Sequence, residues 1–321
     1  YTSLLHSVKH FEGDTVTTAE AKYQLEIAAT IVGGKEELKK RPIISMVICT
    51  ISPLMLDGGM TDASIEYARA GVPVVIYPMP AVGQLSPATM AGTMVVNTAE
   101  FLAGLVIQEL ANPGAPVAWA PSCGTVNYKT GRRKWSPEST LMSLGVGQLA
   151  RRYGLPTQRG GLGSSSKLLD AQAGYQKAIS LIPSLLLTPD IAGGVAGLGP
   201  GTCLEIMVID NEIIDYALRY LEGLEVNDDT LALDVIDKVG PGGHFLGEKH
   251  TLQHFREGWM PEITDMETFE IWQSKGSKSI AQIAKEKTRE ILATHKVEPI
   301  PQDIQNEVSK ILKRAESELL K

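Results

Sequence analysis

The sequence predicts an α/β protein, a (β/α)8 TIM barrel that lacks its N-terminal units and carries a C-terminal helical extension. Three observations lead there. Apolar, β-branched runs alternate with Gly/Ser/Pro-rich loops and capped amphipathic helices, the pattern of a parallel sheet with helical crossovers. The runs recur roughly every 30 to 40 residues, the spacing of a barrel of about 250 residues. No Gly-x-Gly-x-x-Gly follows the first strand, because Gly197-x-Gly199-x-Gly201 has the wrong spacing and Gly161-Leu-Gly163 lacks the third glycine. That argues against an open dinucleotide-binding sheet.

Tyr1 to Phe11 reads as strand and loop. Ile43 to Ile51 is the first clear strand, followed by a helix capped by Thr61 and stopped by Gly71 and Pro73. Val74 to Tyr77 leads into a long helix with Ser86 as cap and Pro87 at its first position, stopped at Asn112-Pro113-Gly114. Val117 to Ala120 precedes a loop to Lys134 and a helix capped by Ser136, again with proline first, ending at Gly154. Leu155 to Gln158 precedes the loop Arg159 to Ser166 and a helix through Ser180. Leu185 to Leu187 reads as a strand before the Gly-rich stretch Gly193 to Gly201, and Glu205 to Ile209 as another, feeding a helix over Ile213 to Leu221. A further helix follows Asn227-Asp228-Asp229. These are about six strands where a closed barrel needs eight, so one or two N-terminal units are expected to be missing. Residues 1–275 are read as the C-terminal major part of the barrel. Residues 276–321 form a helical extension, with Ile280, Ile283 and Ile291 on one stripe and a final helix from Gln302 to about Leu320, covering the barrel or a partner subunit.

Composition narrows the function. The chain has 321 residues, 43% of them hydrophobic, with 30 Lys and Arg against 37 Asp and Glu for a formal charge of -7. No basic run is longer than Arg132-Arg133-Lys134, so nucleic acid is not an expected partner. Apolar runs such as Ile43 to Ile51 stop short of the roughly 18 residues a membrane-spanning helix needs, and no membrane is expected. Three scattered cysteines and no secretory h-region point to the cytoplasm. No Gly-x-Ser-x-Gly elbow, Walker loop or His-Glu-x-x-His helix is present.

Aromatic residues make up only 6% of the chain, yet Tyr77, Trp119, Tyr128, Trp135 and Phe245 fall at predicted strand ends or in the loops after them. In a parallel barrel those loops form the mouth of the active site, where ring faces can hold a cation, or simply plug the barrel top. His244 follows two glycines, which suits an aimed side chain. His250 and His254 lie one helical turn apart, a spacing that suits a metal, but no third ligand stands at a defined offset, and none is assigned.

The motifs Tyr77-Pro-Met-Pro80 with Pro87-Ala-Thr89-Met-Ala-Gly92, Asn112-Pro-Gly-Ala-Pro116, Tyr153-Gly-Leu-Pro156, Asp170-Ala-Gln-Ala173, Ile209-Asp210-Asn-Glu212 and His250-Thr-Leu-x-His-Phe-Arg256 with Trp259-x-Pro261 occur in order along nearly the whole chain. In this combination the sequence resembles the trimethylamine methyltransferase family. The resemblance implies a (β/α) barrel that moves a methyl group from a methylated amine to the Co(I) corrinoid of a separate corrinoid protein, with no cofactor bound by the chain itself. One branch of that family carries pyrrolysine and acts on trimethylamine; another lacks it and acts on quaternary amines such as glycine betaine. Only standard residues stand here, which favours the second branch. A trimethylamine methyltransferase and a noncatalytic quaternary-amine binder are the alternatives, and a homo-oligomer is expected.

A quaternary ammonium leaves as a neutral tertiary amine, so no general acid is needed on nitrogen. The protein would position and desolvate the substrate. Aromatic faces at Tyr77, Trp119, Tyr128 and Phe245 would hold the cation. His244, His250 and the backbone amides of Gly160 to Ser166, with Gly161, Ser164 and Ser165 as the loop candidates, would hold a carboxylate. Glu205, on a predicted strand, would oppose the ammonium charge or belong to a buried structural pair.

Overall fold

The computed structural model describes residues 1–193, 196–199 and 201–320. A short helix α1 (Thr2–Leu5) precedes strand β1 (Phe11–Gly13), and helices α2 (Thr18–Val32) and α3 (Lys35–Lys40) lead to β2 (Ile44–Ile51). The two-residue strand β3 (Met55–Leu56) folds back on β2; α4 (Gly58–Ala70) leads to β4 (Val74–Tyr77) and α5 (Met90–Ala111) to β5 (Val117–Trp119). An antiparallel hairpin, β6 (Thr125–Asn127) and β7 (Arg132–Lys134), separates β5 from α6 (Pro137–Arg152). Then come β8 (Gln158–Gly160), α7 (Ala171–Leu185), β9 (Ile191–Gly193) and α8 (Leu204–Glu222). The helices α9 (Asp228–Leu231), α10 (Leu233–Val239), α11 (Lys249–His254), α12 (Phe269–Ser274), α13 (Ile280–Thr294) and α14 (Gln302–Leu319) follow.

Strands β1, β2, β4 and β5 pair in parallel in that order. A parallel bridge between Trp119 and Thr157 carries the series to β8, which pairs in parallel with β9. Spatial order therefore follows chain order, as right-handed β/α units require. The register aligns Met46 with Val74 and Val74 with Val117, and Ile48 with Ile76 and Ile76 with Trp119. These side chains form the outer face and pack with Phe101 and Met142 of the covering helices. The alternate residues Val47, Val75, Tyr77, Ala118, Ala120 and Ile191 meet on the inner face. Burial of both faces explains why β4 is apolar throughout and β2 is apolar except for Ser45 and Thr50.

The sheet is strongly curled. In a flat sheet β1 and β8 would stand four strand spacings apart, roughly 19 Å at about 4.8 Å each. Here Gln158 Nε2 donates to Glu12 Oε1 at 2.7 Å, across the inner face. The small side chains of Ala118 and Ala120 on the inner face leave room for that approach.

Several expected boundaries move. Leu185 to Leu187 is not a strand: α7 runs through Leu185, burying Ala173, Lys177, Leu181 and Ser184 at helical spacing, and the strand comes later, at β9. Glu205 to Ile209 belongs to the first turns of α8, where Ile206, Ile209, Asp210 and Ala217 line one buried face. Ser86 does not cap α5; Thr89 accepts from the Gly92 amide, while Ser86 Oγ donates to the Ala81 carbonyl. Asp57, rather than Thr61, caps α4 through the Met60 amide. In the Gly-rich stretch, residues Gly194, Val195 and Pro200 lie outside the described residues.

Among the described residues α5 is the one helix long and apolar enough to cross a bilayer, a stretch the sequence reading passed over. Its buried face, however, carries Asn97, Glu100 and Gln108, each hydrogen-bonded to neighbouring elements. Those contacts fasten one face of α5 to the protein, with Gln108 Oε1 left as the one unpaired atom among them. The C-terminal helices cover other helices: Ile283 and Ala284 of α13 pack in a cluster with Ile206 and Ile209 of α8, and Val308 and Ile311 of α14 pack with Ile27 of α2.

Candidate active site

The buried polar residues of α5 shape the loops at the C-terminal ends of the strands. Glu100 accepts from the hydroxyls of Thr50 and Ser52 and from the Leu54 amide, which pins the turn after β2. Asn97 Nδ2 donates to the carbonyls of Pro78 and Ser122, tying the loop after β4 to the loop after β5. Trp119 Nε1 donates to Asn97 Oδ1 at 3.0 Å and fixes that amide's orientation.

A cleft opens over these loops, among Tyr77 at the end of β4, Ser122 and Cys123 after β5, Arg133 of the hairpin and Trp135 just after it, and Gln158 to Gly161 at β8. Glycine is required at Gly161, which lines the cleft, and at Gly163 behind Trp135. A Cβ on Gly161 would stand 2.8 Å from Leu181 Cα, so only glycine lets β8 approach α7 this closely, and a Cβ on Gly163 would enter the Trp135 ring at 2.4 Å.

The distinctive group is Arg159. It is 5% exposed, its Nη2 donates to Ser184 Oγ at 3.2 Å, and its Nε and Nη1 have no hydrogen-bond partner. Burial pulls its pKa down to about 10, with Cys123 acting in the opposite direction. Burial likewise pushes the Cys123 thiol up to about 12, opposed by Arg133 and Arg159. At neutral pH the cleft therefore presents a guanidinium and an un-ionised thiol. Arg133 reaches Ser122 Oγ at 3.0 Å from the hairpin side. No Asp or Glu lines the cleft among the described residues. A buried cation with unpaired donors is costly and marks a place where an anion completes the structure.

Of the residues singled out in the sequence, Tyr77 and Gly161 line this cleft, and Trp135 stands beside them. Trp119 lies elsewhere: it points to the outer face, is fully buried and stacks on Phe101 at 4.1 Å, because its register matches Ile76 rather than Tyr77. Tyr128 is 73% exposed beyond β6, with its hydroxyl toward the Val82 carbonyl. The amides of Ser165 and Ser166 are already taken, by Gln176 Oε1 and Ser164 Oγ, and Ser164 Oγ donates to Gln176, so this part of the loop is fastened to α7 rather than open to an anion. Glu205 sits in the first turn of α8 instead of on a strand. His244, Phe245 and His250 belong to the stretch from α10 to α11 and do not line the cleft.

The sequence reading missed Arg159, Arg133, Gln158 and Cys123 as cleft residues. One signal was available: Arg159 immediately follows the expected strand Leu155 to Gln158 and precedes Gly160-Gly161, and a charged residue there stands where parallel β/α units present their functional groups.

The profile of trimethylamine methyltransferases matches residues 1–319. The chain belongs to the trimethylamine methyltransferase family. It is 37% identical over 319 residues to trimethylamine methyltransferase MttB of Methanosarcina barkeri, covering 98% of this chain and 64% of that one. It is 35% identical over 300 residues to glycine betaine methyltransferase of Desulfitobacterium hafniense, covering 92% and 62%. A trimethylamine methyltransferase MttB of Desulfitobacterium hafniense is 34% identical over 300 residues, covering 92% and 60%. The chain thus spans less than two thirds of the length of these relatives. Several residues that carry the family resemblance are scaffold. Asp170 caps α7 through the Ala173 amide, buried Asp210 accepts from Lys177 Nζ at 3.0 Å and from the Ala196 amide, and Glu212 accepts from the amides of Glu262, Ile263 and Thr264.

Proposed function

We propose that this chain is part of a corrinoid-dependent methyltransferase whose substrate is a quaternary amine bearing a carboxylate, such as glycine betaine. The curled, sequentially ordered parallel sheet is, in this reading, six strands of a (β/α) barrel. Buried Arg159 carries the argument. A lone methylammonium ion brought beside two arginines, with no acid in the cleft, would meet net repulsion; a zwitterion brings its own counter-charge. The carboxylate would pair with the Arg159 guanidinium, with Arg133 as a second cation. Tyr77 and Trp135 would offer ring faces to the trimethylammonium end.

A Co(I) corrinoid on a partner protein supplies the nucleophile that accepts the methyl group. The residues of this chain do the rest by binding and orientation. The C–N bond breaks with its electron pair going to nitrogen, which leaves as a neutral amine, so no proton need be delivered by the cleft. The un-ionised Cys123 thiol keeps a competing nucleophile inactive beside a methyl donor.

Calorimetric titration tests the reading. Glycine betaine should bind, tetramethylammonium and trimethylamine should bind far more weakly, and Arg159→Leu should weaken betaine binding roughly ten- to a hundredfold, the worth of a charged hydrogen-bonded pair. Equal affinity for betaine and tetramethylammonium would overturn it.

A further inference from the structure

We propose that Asp229, His250 and His254 form a binding site for a divalent transition metal, with zinc the best match to two imidazoles and a carboxylate. The two histidines of α11 leave the same face of the helix, and their rings lie 4.2 Å apart. The third group, which no local spacing could reveal, comes from 21 residues earlier in the chain: Asp229, in the first turn of α9. Its Oδ2 stands 3.3 Å from His254 Nε2, and its carbonyl accepts from His250 Nε2 at 2.9 Å. One ligand atom from each side chain lies within 4.8 Å of the other two. With metal–ligand bonds of about 2.0–2.1 Å, tetrahedral geometry separates neighbouring ligand atoms by roughly 3.3 Å, the distance already held between His254 and Asp229.

A carboxylate behind one imidazole completes the arrangement. Both oxygens of Glu257 lie 2.9 Å from His254 Nδ1, so that nitrogen carries the proton and Nε2 faces Asp229. This is the outer contact that orients metal-bound histidines. On metal uptake His250 moves its ring proton from Nε2 to Nδ1, and any second proton on His254 passes to water. Three protein ligands leave a fourth position for water.

The surroundings give such an ion a structural task. Helices α9, α10 and α11 contribute no buried residue, so burial does little to hold them together. A metal bridging α9 and α11 would cross-link this stretch, as metals do in modules too small to build a core. None of its ligands lines the cleft at Arg159.

Tag-free protein stripped with EDTA and titrated with Co2+ provides the test. One equivalent should bind with the visible bands of four-coordinate cobalt, and zinc should displace it. His250→Ala and His254→Ala should each abolish uptake, and Glu257→Gln should weaken it about ten- to a hundredfold. Zinc should also slow proteolysis within residues 225–260 of the unsubstituted protein. Absence of cobalt uptake, uptake that survives His250→Ala with His254→Ala, or proteolysis indifferent to zinc would leave an ion-pair network only and overturn the proposal.

Discussion

At the scale of single residues, Arg159 combines a structural burden with the proposed role in binding. Its guanidinium is buried with two unpaired donor nitrogens, so an apolar side chain of similar length should relieve the cost of burying a charge. Arg159→Leu is expected to leave thermal stability unchanged or raise it by about 1–3 kcal/mol while betaine binding weakens roughly ten- to a hundredfold, which melting curves with and without ligand would show. Cys123 makes the complementary prediction. Its thiol, 2% exposed and held un-ionised up to about pH 12, should resist iodoacetamide in the native protein and react once the chain is unfolded. Peptide mass spectrometry reads both states; rapid native alkylation would contradict the buried, neutral thiol. Neither residue announced itself in the sequence, because an isolated arginine or cysteine acquires its meaning from what surrounds it.

At the scale of elements, the loops at the strand ends depend on the polar face of α5. Glu100→Ala would strand the hydroxyls of Thr50 and Ser52 and the Leu54 amide, and is expected to cost about 3 kcal/mol in chemical denaturation. The start of α2 has a pH signature. The Thr15 hydroxyl donates to Glu20 at 2.7 Å and holds its carboxyl below the ordinary range, with smaller help from the Val16 amide against the opposing effect of burial. A carboxyl whose folded pKa is depressed adds stability above its unfolded pKa, and that stability is lost as pH falls through the folded value. Thr15→Val should therefore shift the acid limb of the stability profile to higher pH, as denaturation at successive pH values would show. The elements also mark how far the sequence could be read. Strands β2, β4 and β5 stood out because parallel strands buried on both faces are mostly apolar. Strand β9, Ile-Ala-Gly, is too short and plain to compete with the leucines of Leu185 to Leu187, which complete a helix. The β-branched run at the start of α8 imitates a strand until its burial is seen to repeat every three or four residues.

At the scale of the whole molecule, the alternation of strand and helix was legible from periodicity and the helix stops, and with it the expectation of a curling sheet; how tightly the strands curl was not, since that depends on which side chains meet across the inner face. A short bis-maleimide should join the thiols of a chain carrying Glu12→Cys and Gln158→Cys, with the native cysteines replaced. An open sheet would hold them roughly 19 Å apart and prevent it. The cleft was legible only in part: Tyr77 and Gly161 follow from the rule that parallel β/α units place functional groups at the C-terminal ends of their strands, but Arg159, on which the proposed preference among amines rests, lies within β8. The most direct test is kcat/KM for methyl transfer to free Co(I) cobalamin, followed by the loss of the Co(I) spectrum, with glycine betaine and trimethylamine offered to the unsubstituted protein and to Arg159→Leu. The account predicts strong preference of the unsubstituted protein for glycine betaine and a fall of roughly ten- to a hundredfold for betaine in the variant; preference for trimethylamine, or a betaine rate indifferent to Arg159, would contradict it.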